Sequence, residues 1–436
     1  MSAINKVVVV GAGTMGAGIA GICAAAGCDV ALLDLKSETA QAGIDRLGAG
    51  KRPALAEEHF ARLAAGTIDD LESHIRDADW ICEAIVENLA IKRDFFSRVE
   101  AARKDGSLVT TNTSGIPLRD ILDGMPARLQ ADMAVTHFFN PPHIMRLLEF
   151  VPSEQAGPDL TARVADFCGN RLGKGVVYAK DTVNFIGNRI GCYWMLSGLH
   201  IGRDMRAQGI DQETVDALMS KPMGFPPTGL YGLVDLIGLD VMALVGENLR
   251  ANLPDGDVGH QYAAFPTEEQ ALYDAGQLGR KTGGGFYRMQ KDADGNRTME
   301  TYDLDASAWR AKRDVTLDAE LQDLASALFA DSTEGNFVWQ QMGGTLAYAA
   351  DLVPDIADDI VNVDRAMRWG FGWAQGPFEM LDRIGPARFA KRLTAEGKPV
   401  PKMLATLQAS GRDRFYADDG TRFLGVDGAM HDTPTE

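Results

Sequence analysis

The sequence is poor in basic residues relative to acidic ones. Its 436 residues include 43 lysines and arginines against 61 aspartates and glutamates, which gives a formal net charge of −18. This excess of negative charge opposes non-specific attraction to nucleic acid or to an anionic lipid surface, because both require clustered cations. We therefore expect no nucleic-acid partner, and an anionic ligand would need a local cationic pocket.

Cysteines and long apolar runs are also scarce. The five cysteines include no CxxC pair and lie in apolar surroundings, which is typical of reduced thiols and argues against a disulfide framework or a zinc site. No uninterrupted apolar run has membrane-spanning length, and the N-terminus leads directly into a strand-like run and a glycine turn, which leaves no room for a signal peptide. We expect a cytoplasmic protein without a membrane span.

The N-terminal stretch "KVVVVGAGTMGAGIAGICAAAGCDVALLDL" has the pattern of a strand, a glycine turn, a helix and a second strand. Gly11 permits the tight turn, Gly13 lets the backbone approach a pyrophosphate, and Gly16 allows close packing of the helix on the strand. The first turn of the helix, at Thr14 and Met15, offers N–H groups to a phosphate. The pattern predicts a dinucleotide site.

Asp34, at the end of the second strand, indicates which dinucleotide binds. Its carboxylate is placed to accept a hydrogen bond from a ribose 2′-hydroxyl, and it would repel a 2′-phosphate. The following "LKSE" contains no arginine to receive a 2′-phosphate, although it does contain Lys36. We expect the cofactor to be NAD rather than NADP.

Two further strands are each followed by polar residues. The stretch "DADWICEAIVENLAIKRDFF" contains Ala84 in a buried strand, then Glu87, then a helix that carries Lys92. The stretch "GSLVTTNTSGIP" predicts a strand followed by Asn112 and Ser114. In an open parallel sheet the loops after the carboxyl ends of the strands line the ligand crevice, so these residues are site candidates. Capping of the next turn is the alternative for Ser114.

The stretch "VTHFFNPPHIMRLLEFV" predicts a hairpin, because Asn140 and the two prolines after it cannot continue a strand. A reversal centred near His143 places His137 and Glu149 opposite one another. Glu149 could then accept from one imidazole nitrogen and leave the other free to take a proton. A core histidine is the alternative, whereas a metal site lacks a third ligand.

These motifs, together with "DTVNFIGNRI", resemble the 3-hydroxyacyl-CoA dehydrogenase family in the same order and at similar spacing, over about residues 4 to 290. The resemblance implies NAD-dependent oxidation of (S)-3-hydroxyacyl-CoA to 3-ketoacyl-CoA in fatty-acid β-oxidation. It implies that His137 is the general base and that Glu149 orients it. Ser114 and Asn188 match residues that hold the substrate oxygen. Positions that match cofactor contacts are Ala84, Glu87, Lys92, Asn112, Ser114 and Asn140.

One position departs from the family pattern. The family usually has Pro-Gly where this chain has Val183 and Asn184, so the entry into the helix that carries Asn188 is expected to differ in shape. Two other functions stay open at this point. The first is a dehydrogenase of the same fold that acts on another 3-hydroxy compound, such as a sugar acid or a carnitine-like substrate. The second is a non-catalytic NAD- or CoA-binding scaffold.

The pattern of the chain predicts an α/β Rossmann-type dinucleotide-binding domain over 1–182, followed by all-α domains. The first helical domain is expected over 183–290. "GPFEMLDRIG" (376–385) repeats "GLYGLVDLIG" (229–238), which predicts a second helical repeat over 330–415. We expect this repeat to pack against the first one rather than to form a second active site. Polar composition predicts a linker over 291–329 and a polar tail over 416–436.

The doubled helical part resembles the longer multifunctional fatty-acid-oxidation enzymes, in which an enoyl-CoA hydratase module belongs to the same chain. No stretch of this sequence resembles that module. The polar end of the chain suggests a linker, so the chain could be the dehydrogenase part of a larger protein, fused to or associated with such a module; a naturally short homologue is the alternative.

Overall fold

The structure, a computed structural model, describes residues 4–291 and 297–435. Within these residues the chain divides into two compact units. The first unit ends at Phe185 and also includes Asp355–Asp358, and the second comprises Ile186–Pro354 and Asp359–Thr435. The first boundary lies a few residues beyond the predicted one at 182. No helix of the described residues is long and apolar enough to cross a membrane.

The first unit contains an eight-stranded sheet. Its strands are β1 Lys6–Val10, β2 Asp29–Asp34, β3 Leu63–Thr67, β4 Trp80–Glu83, β5 Leu108–Thr111, β6 Met133–Phe138, β7 Leu147–Pro152 and β8 Gly175–Tyr178. Their order in the sheet is β3-β2-β1-β4-β5-β6-β7-β8. All neighbours are parallel except β6 and β7, which are antiparallel. The first six strands have the order of a doubly wound dinucleotide-binding sheet, as the sequence predicts.

Helices connect these strands. They are α1 Thr14–Ala25, α2 Ser37–Leu47, α3 Leu71–Ile75, α4 Leu89–Ala102, α5 Leu118–Leu122, α6 Ala127–Asp132 and α7 Pro158–Ala165. The core between α1 and the sheet is apolar and buried, because β1 is a nearly continuous valine run and α1 consists mostly of small residues. This packing places the start of α1 at the carboxyl end of β1.

The second unit contains the two helical copies. The first copy has α8 Gly187–Met205, α9 Gln212–Leu218, α10 Tyr231–Ile237, α11 Leu239–Asn252 and α12 Thr267–Asp274. After the short α13 Leu324–Ala327, the second copy has α14 Thr333–Val338, α15 Gly344–Leu352, α16 Ile360–Phe371, α17 Pro377–Ile384, α18 Pro386–Ala395 and α19 Lys402–Ala409. A π-type turn over Trp339–Gly343 joins α14 to α15, so these two helices together correspond to α8.

The two helical copies pack against each other within this one unit, as we expected. The rings of Phe225 and Trp373 are stacked with their centroids 4.4 Å apart, and those of Tyr193 and Tyr348 are stacked at 4.2 Å. A Cβ atom on Gly191 would lie 2.0 Å from the ring of Phe371, so α8 needs glycine where α16 crosses it. The predicted helical ranges 183–290 and 330–415 are therefore not separate compact units.

The segments predicted as a linker and a polar tail contain small sheets instead. β9 Tyr287–Lys291, β10 Arg297–Asp303 and β11 Ala308–Ala311 form one sheet, and β12 Tyr416–Ala417, β13 Arg422–Leu424 and β14 Met430–Asp432 form another. Residues 292–296 lie outside the described residues. The prediction from polar composition was wrong because few side chains of these strands are buried, among them Thr301, Phe423 and Leu424.

Each small sheet is bound to its own helical copy by the same pattern of hydrogen bonds. Asp235 in α10 accepts from the amides of Phe286 and Tyr287 at 2.8 Å. Asp382, the equivalent residue in α17, accepts from the amides of Phe415 and Tyr416 at 2.7 and 2.9 Å. The sequence repeat therefore extends through the small sheet of each copy.

A second aspartate of each copy completes the pattern. The hydroxyl of Tyr287 donates to Asp216 at 2.8 Å, and that of Tyr416 donates to Asp364 at 2.7 Å. Both aspartates also accept from backbone amides at the start of the following helix. Because the same bonds recur in both copies, the acid and tyrosine groups are structural parts of the repeated module.

The buried aspartates should make stability depend on pH. Burial raises the pKa of Asp235 to about 6, against the opposing hydrogen bonds from two amides, whereas an unfolded aspartate has a pKa of about 4. The stability that Asp235 contributes is therefore complete below pH 4 and is lost as the pH rises through about 6. We expect the free energy of unfolding of the wild type, measured with urea, to fall between pH 4 and 7. Asp235→Asn should make this fall smaller by on the order of 2 kcal/mol.

The second copy and the surface offer matched variants for this measurement. Burial also raises the pKa of Asp382 to about 6, so Asp382→Asn should flatten the pH dependence in the same direction. Asp274, an exposed residue of α12, should leave the pH dependence unchanged when replaced by Asn. A wild-type free energy of unfolding that stays level between pH 4 and 7 would contradict the prediction.

Candidate functional site

The turn between β1 and α1 has the geometry that a dinucleotide requires. Gly11 has a φ of +103°, and a Cβ atom on it would lie 2.3 Å from the carbonyl oxygen of Ala84. A Cβ atom on Gly16 would lie 1.8 Å from the carbonyl oxygen of Gly11, whereas one on Gly13 would meet nothing within 4 Å. Gly11 and Gly16 are therefore required by the fold, and the space at Gly13 can accept the pyrophosphate of NAD.

The helix that follows this turn begins at Thr14, and no side chain caps its N-terminus. The first-turn N–H groups of an α-helix have no intrahelical acceptor, so those near Thr14 and Met15 can donate to phosphate oxygens. Asp34, at the end of β2, accepts from the amides of Ala12 and Leu35 at 2.7 and 2.8 Å. These two bonds hold its carboxylate beside the turn.

A buried ion pair that was not predicted from the sequence joins the end of β4 to α4. Glu83 and Lys92 are 0% and 1% exposed, and Lys92 Nζ donates to Glu83 Oε1 at 2.7 Å. Glu83 also accepts from the Thr111 hydroxyl at 2.6 Å and from the Ile85 amide at 2.7 Å. A charged residue at the end of an otherwise apolar strand was the signal that could have identified Glu83.

Further hydrogen bonds connect the loops after β4, β5 and β6. Glu87 accepts from the hydroxyl of Thr113 and, at 2.9 Å, from the amide of Gly115, so its carboxylate holds the loop in which Ser114 lies. Asn112 Oδ1 accepts from the amide of Phe138, next to His137, at 2.9 Å. The carboxyl ends of these three strands are thus joined by polar side chains.

His137 and Glu149 form the pair that the hairpin pattern predicts. They are directly opposite each other in the antiparallel register of β6 and β7. His137 Nδ1 lies 2.7 Å from Glu149 Oε2, and Glu149 is fully buried while His137 is 7% exposed. With Nδ1 as the donor to this carboxylate, Nε2 is left as the basic nitrogen.

Aromatic rings surround the imidazole of His137. The ring of Phe139 lies 4.8 Å from it in a T-shaped contact, and the ring of Phe185 lies 5.7 Å from it. Phe185 and the preceding Asn184 have φ values of +51° and +57°. The chain therefore adopts a left-handed conformation at Asn184, where the family usually has glycine, and asparagine tolerates this conformation better than most residues do.

The loop that connects β6 to β7 packs against the dinucleotide helix. Asn140 is exposed in this loop, and Pro142 follows it. A Cβ atom on Gly18 in α1 would lie 2.9 Å from the ring of Pro142, so the small glycine permits the close approach. The hairpin is in this way held next to the helix that begins the predicted dinucleotide site.

All but one of the predicted site residues lie around the carboxyl ends of neighbouring strands in the first unit. The exception is Asn188, which lies in the first turn of α8 in the second unit. Its proximity to His137 stays a prediction, as do the roles of the individual residues.

Comparisons with known proteins bear on the function of this site. Residues 6–182 match the family model described as "3-hydroxyacyl-CoA dehydrogenase, NAD binding domain", and residues 185–289 match "3-hydroxyacyl-CoA dehydrogenase, C-terminal domain". The chain belongs to the 3-hydroxyacyl-CoA dehydrogenase family. The expected fold class and the expected cofactor, NAD, are thereby confirmed.

Individual relatives of this dehydrogenase family agree. A probable 3-hydroxyacyl-CoA dehydrogenase of Bacillus subtilis is 34% identical and is aligned over 96% of this chain but 56% of its own length. A putative fatty acid oxidation complex trifunctional enzyme of Rickettsia felis is 33% identical over 87% of this chain and 53% of its own length. The chain therefore spans about half the length of these curated relatives.

A solved structure extends the comparison of the fold. The crystal structure of 3-hydroxybutyryl-CoA dehydrogenase from Escherichia coli K12 matches with a TM-score of 0.68 and covers 94% of this chain and 100% of that one. At 23% sequence identity this match concerns the fold alone. It shows that the fold described above is shared over nearly the whole of this chain.

The glycines of the first turn offer a test of NAD binding. Because a Cβ atom on Gly13 meets no protein atom, Gly13→Ala should leave the melting temperature unchanged but obstruct the pyrophosphate. We expect the Kd for NADH, measured by fluorescence titration, to rise about tenfold or more, which is a loss of about 1.4 kcal/mol. NADH binding at the wild-type Kd would contradict the assignment.

Gly16→Ala is the matched control for this variant. Its Cβ atom would collide with the Gly11 carbonyl, so the turn would have to open, and we expect a loss of about 2 kcal/mol or more in the free energy of unfolding. The two alanine variants should therefore separate ligand binding from folding.

Proposed function

We propose that the protein oxidises the 3-hydroxyl group of an acyl-CoA to a ketone with NAD as the acceptor, and that His137 is the general base. The observation that carries the proposal is the buried His137–Glu149 pair in the sheet that also presents the glycine turn. The match of most of the chain to 3-hydroxyacyl-CoA dehydrogenase domains supports the choice of substrate class.

The chemistry of the pair suits a proton transfer. Nε2 of His137 takes the proton of the substrate hydroxyl, and the carboxylate of Glu149 stabilises the imidazolium that results. In the reverse direction the protonated His137 returns this proton to the carbonyl oxygen. NAD, when bound, supplies the hydride acceptor. The aromatic contacts of Phe139 and Phe185 exclude water from the imidazole and limit its rotation.

Two more residues are proposed to hold the reacting oxygen. Ser114 lies in the same unit as His137, in a loop held by the hydrogen bond from the Gly115 amide to Glu87. Asn188 lies at the start of α8, where the left-handed conformation at Asn184 and Phe185 sets the direction of the chain. Both residues carry the polar side chains that a carbonyl or hydroxyl oxygen needs.

The wider context is proposed to be fatty-acid β-oxidation. The Rickettsia felis relative is named as a fatty acid oxidation complex trifunctional enzyme, and about half of its length lies outside the alignment. We propose that the protein acts together with an enoyl-CoA hydratase module, because hydration of an enoyl-CoA produces the 3-hydroxyacyl-CoA that this site would oxidise.

The substrate class and the base can be tested in one assay. We expect the protein to consume NADH with acetoacetyl-CoA or a longer 3-ketoacyl-CoA, and His137→Gln to lower kcat by a factor of roughly 10² to 10⁴. His143, which is exposed on the loop of the same hairpin, provides the control, and His143→Gln should retain the wild-type kcat.

Three outcomes would count against the proposal. A His137→Gln protein with wild-type kcat would exclude the base assignment. Turnover of 3-keto acids without CoA, but of no 3-ketoacyl-CoA, would favour a dehydrogenase of another 3-hydroxy compound. NADH binding with no turnover of either class would favour a binding scaffold.

A further inference from the structure

The second unit contains a cavity that the proposed chemistry does not use. It has a volume of about 790 Å³ and lies among α9, α10 and the small sheet that contains β9 and β10. This volume falls within the range of small-molecule binding sites in proteins. All of its lining residues belong to the second unit.

Four carboxylates line the cavity, and three of them, Glu213, Asp216 and Asp235, are already occupied by hydrogen bonds within the protein, whereas Asp314 is exposed. Glu213 accepts from two nitrogens of the Arg310 guanidinium, and these and other hydrogen bonds outweigh the effect of burial and hold its pKa at about 2. Asp216 accepts from the Tyr287 hydroxyl and from backbone amides, and Asp235 accepts from two amides. Their negative charge is thus directed towards protein donors.

Two of the cations at the cavity are not engaged in this way. Arg288 is paired with Glu300, and Arg313 with Asp211. Arg280 and Lys312, in contrast, form no ion pair within residues 4–291 and 297–435, although the charge of Arg280 acts to lower the pKa of Asp235 and Lys312 Nζ lies 5.8 Å from the centre of the Tyr287 ring. In a protein with a net charge of −18, two cations that form no ion pair at one cavity can attract an anion.

Apolar surface lies beside these cations. Met289 and Met299 face each other across β9 and β10, and they are 50% and 40% exposed. Methionine is flexible and polarizable, so an exposed pair can adapt to a planar ring or to an alkyl group. The cavity therefore combines two cations that form no ion pair with an adaptable apolar wall.

The second copy shows which of these features belong to the fold and which do not. A cavity of about 610 Å³ occurs at the equivalent place and is lined by Asp382 and Tyr416, the equivalents of Asp235 and Tyr287. The position of Met289 is taken there by Asp418. The shape of the cavity thus follows from the repeated module, whereas the pair of methionines belongs to the first copy, since Met430 alone lines the second cavity.

We propose that the cavity of the first copy binds an organic phosphate of nucleotide size. Its phosphate groups lie between Arg280 and Lys312, and its base or another apolar group lies on Met289 and Met299. The nucleotide end of CoA and a free adenine nucleotide both have this chemistry. The proposal is independent of the acyl-CoA dehydrogenase activity, because it concerns only residues of the second unit.

Calorimetric titration of the full chain tests the proposal, with adenosine 3′,5′-bisphosphate as the probe and with saturating NADH to occupy the dinucleotide site. We expect the double variant Arg280→Ala/Lys312→Met to raise the Kd at least tenfold. Both residues are exposed, so folding should be unaffected. The matched variant Arg412→Ala/Arg414→Met, in the second cavity, should bind like the wild type.

Specific results would overturn the proposal. In the first, the wild type does not bind the probe at millimolar concentration. In the second, the Arg280/Lys312 variant has an unchanged Kd, and in the third, the matched variant loses as much affinity as the Arg280/Lys312 variant. Met289→Ser/Met299→Ser should weaken the bisphosphate but not inorganic pyrophosphate, and equal effects on both would exclude the apolar wall.

Two further titrations distinguish the sources of the nucleotide. CoA that binds more tightly than ADP, in a manner that depends on Arg280 and Lys312, would identify the CoA end as the ligand. ADP that binds at least as tightly would identify a free nucleotide. Turnover of acetoacetyl-CoA is measured separately, so a failure of this site and a failure of the dehydrogenase proposal give different results.

Discussion

The antiparallel register of β6 and β7 is the constraint on which the site depends. Side chains alternate between the two faces of a strand, so a shift by one residue would place Glu149 on the opposite face from His137. Buried apolar residues on both strands oppose such a shift, because it would exchange Leu148 and Phe150 with Glu149. Contact between Pro142 and Gly18 also holds the hairpin next to α1.

A second constraint is the network of buried polar groups at the ends of the parallel strands. Removal of one partner from a buried ion pair such as Glu83–Lys92 costs about 3 to 5 kcal/mol, because the remaining charge is uncompensated. Such a pair is weak evidence of stabilisation, but its directional bonds to Thr111 and Ile85 fix the positions of two loops. The rigidity of the crevice follows from this arrangement.

Features with a local physical signal were predictable from the sequence. The glycine turn and the opposition of His137 and Glu149 each depend on residues close in sequence or on simple alternation. The position of Asn188 relative to His137 depends instead on two compact units, which no local pattern determines. The small sheets escaped prediction because their strands bury few side chains, so that their composition is that of a loop.

Duplication explains why the second copy can keep its structure without a crevice of its own. The aspartate and tyrosine bonds that join each small sheet to its helices are the same in both copies, so selection for folding alone would retain them. Asn336 lies at the same offset from Asn188 as Asp364 lies from Asp216. Among the described residues between the first and the second copy, however, there is no second dinucleotide-binding sheet, and Asn336 is exposed. The stacked rings of Phe225 and Trp373 and of Tyr193 and Tyr348 join the two copies, so the second copy covers apolar surface of the first.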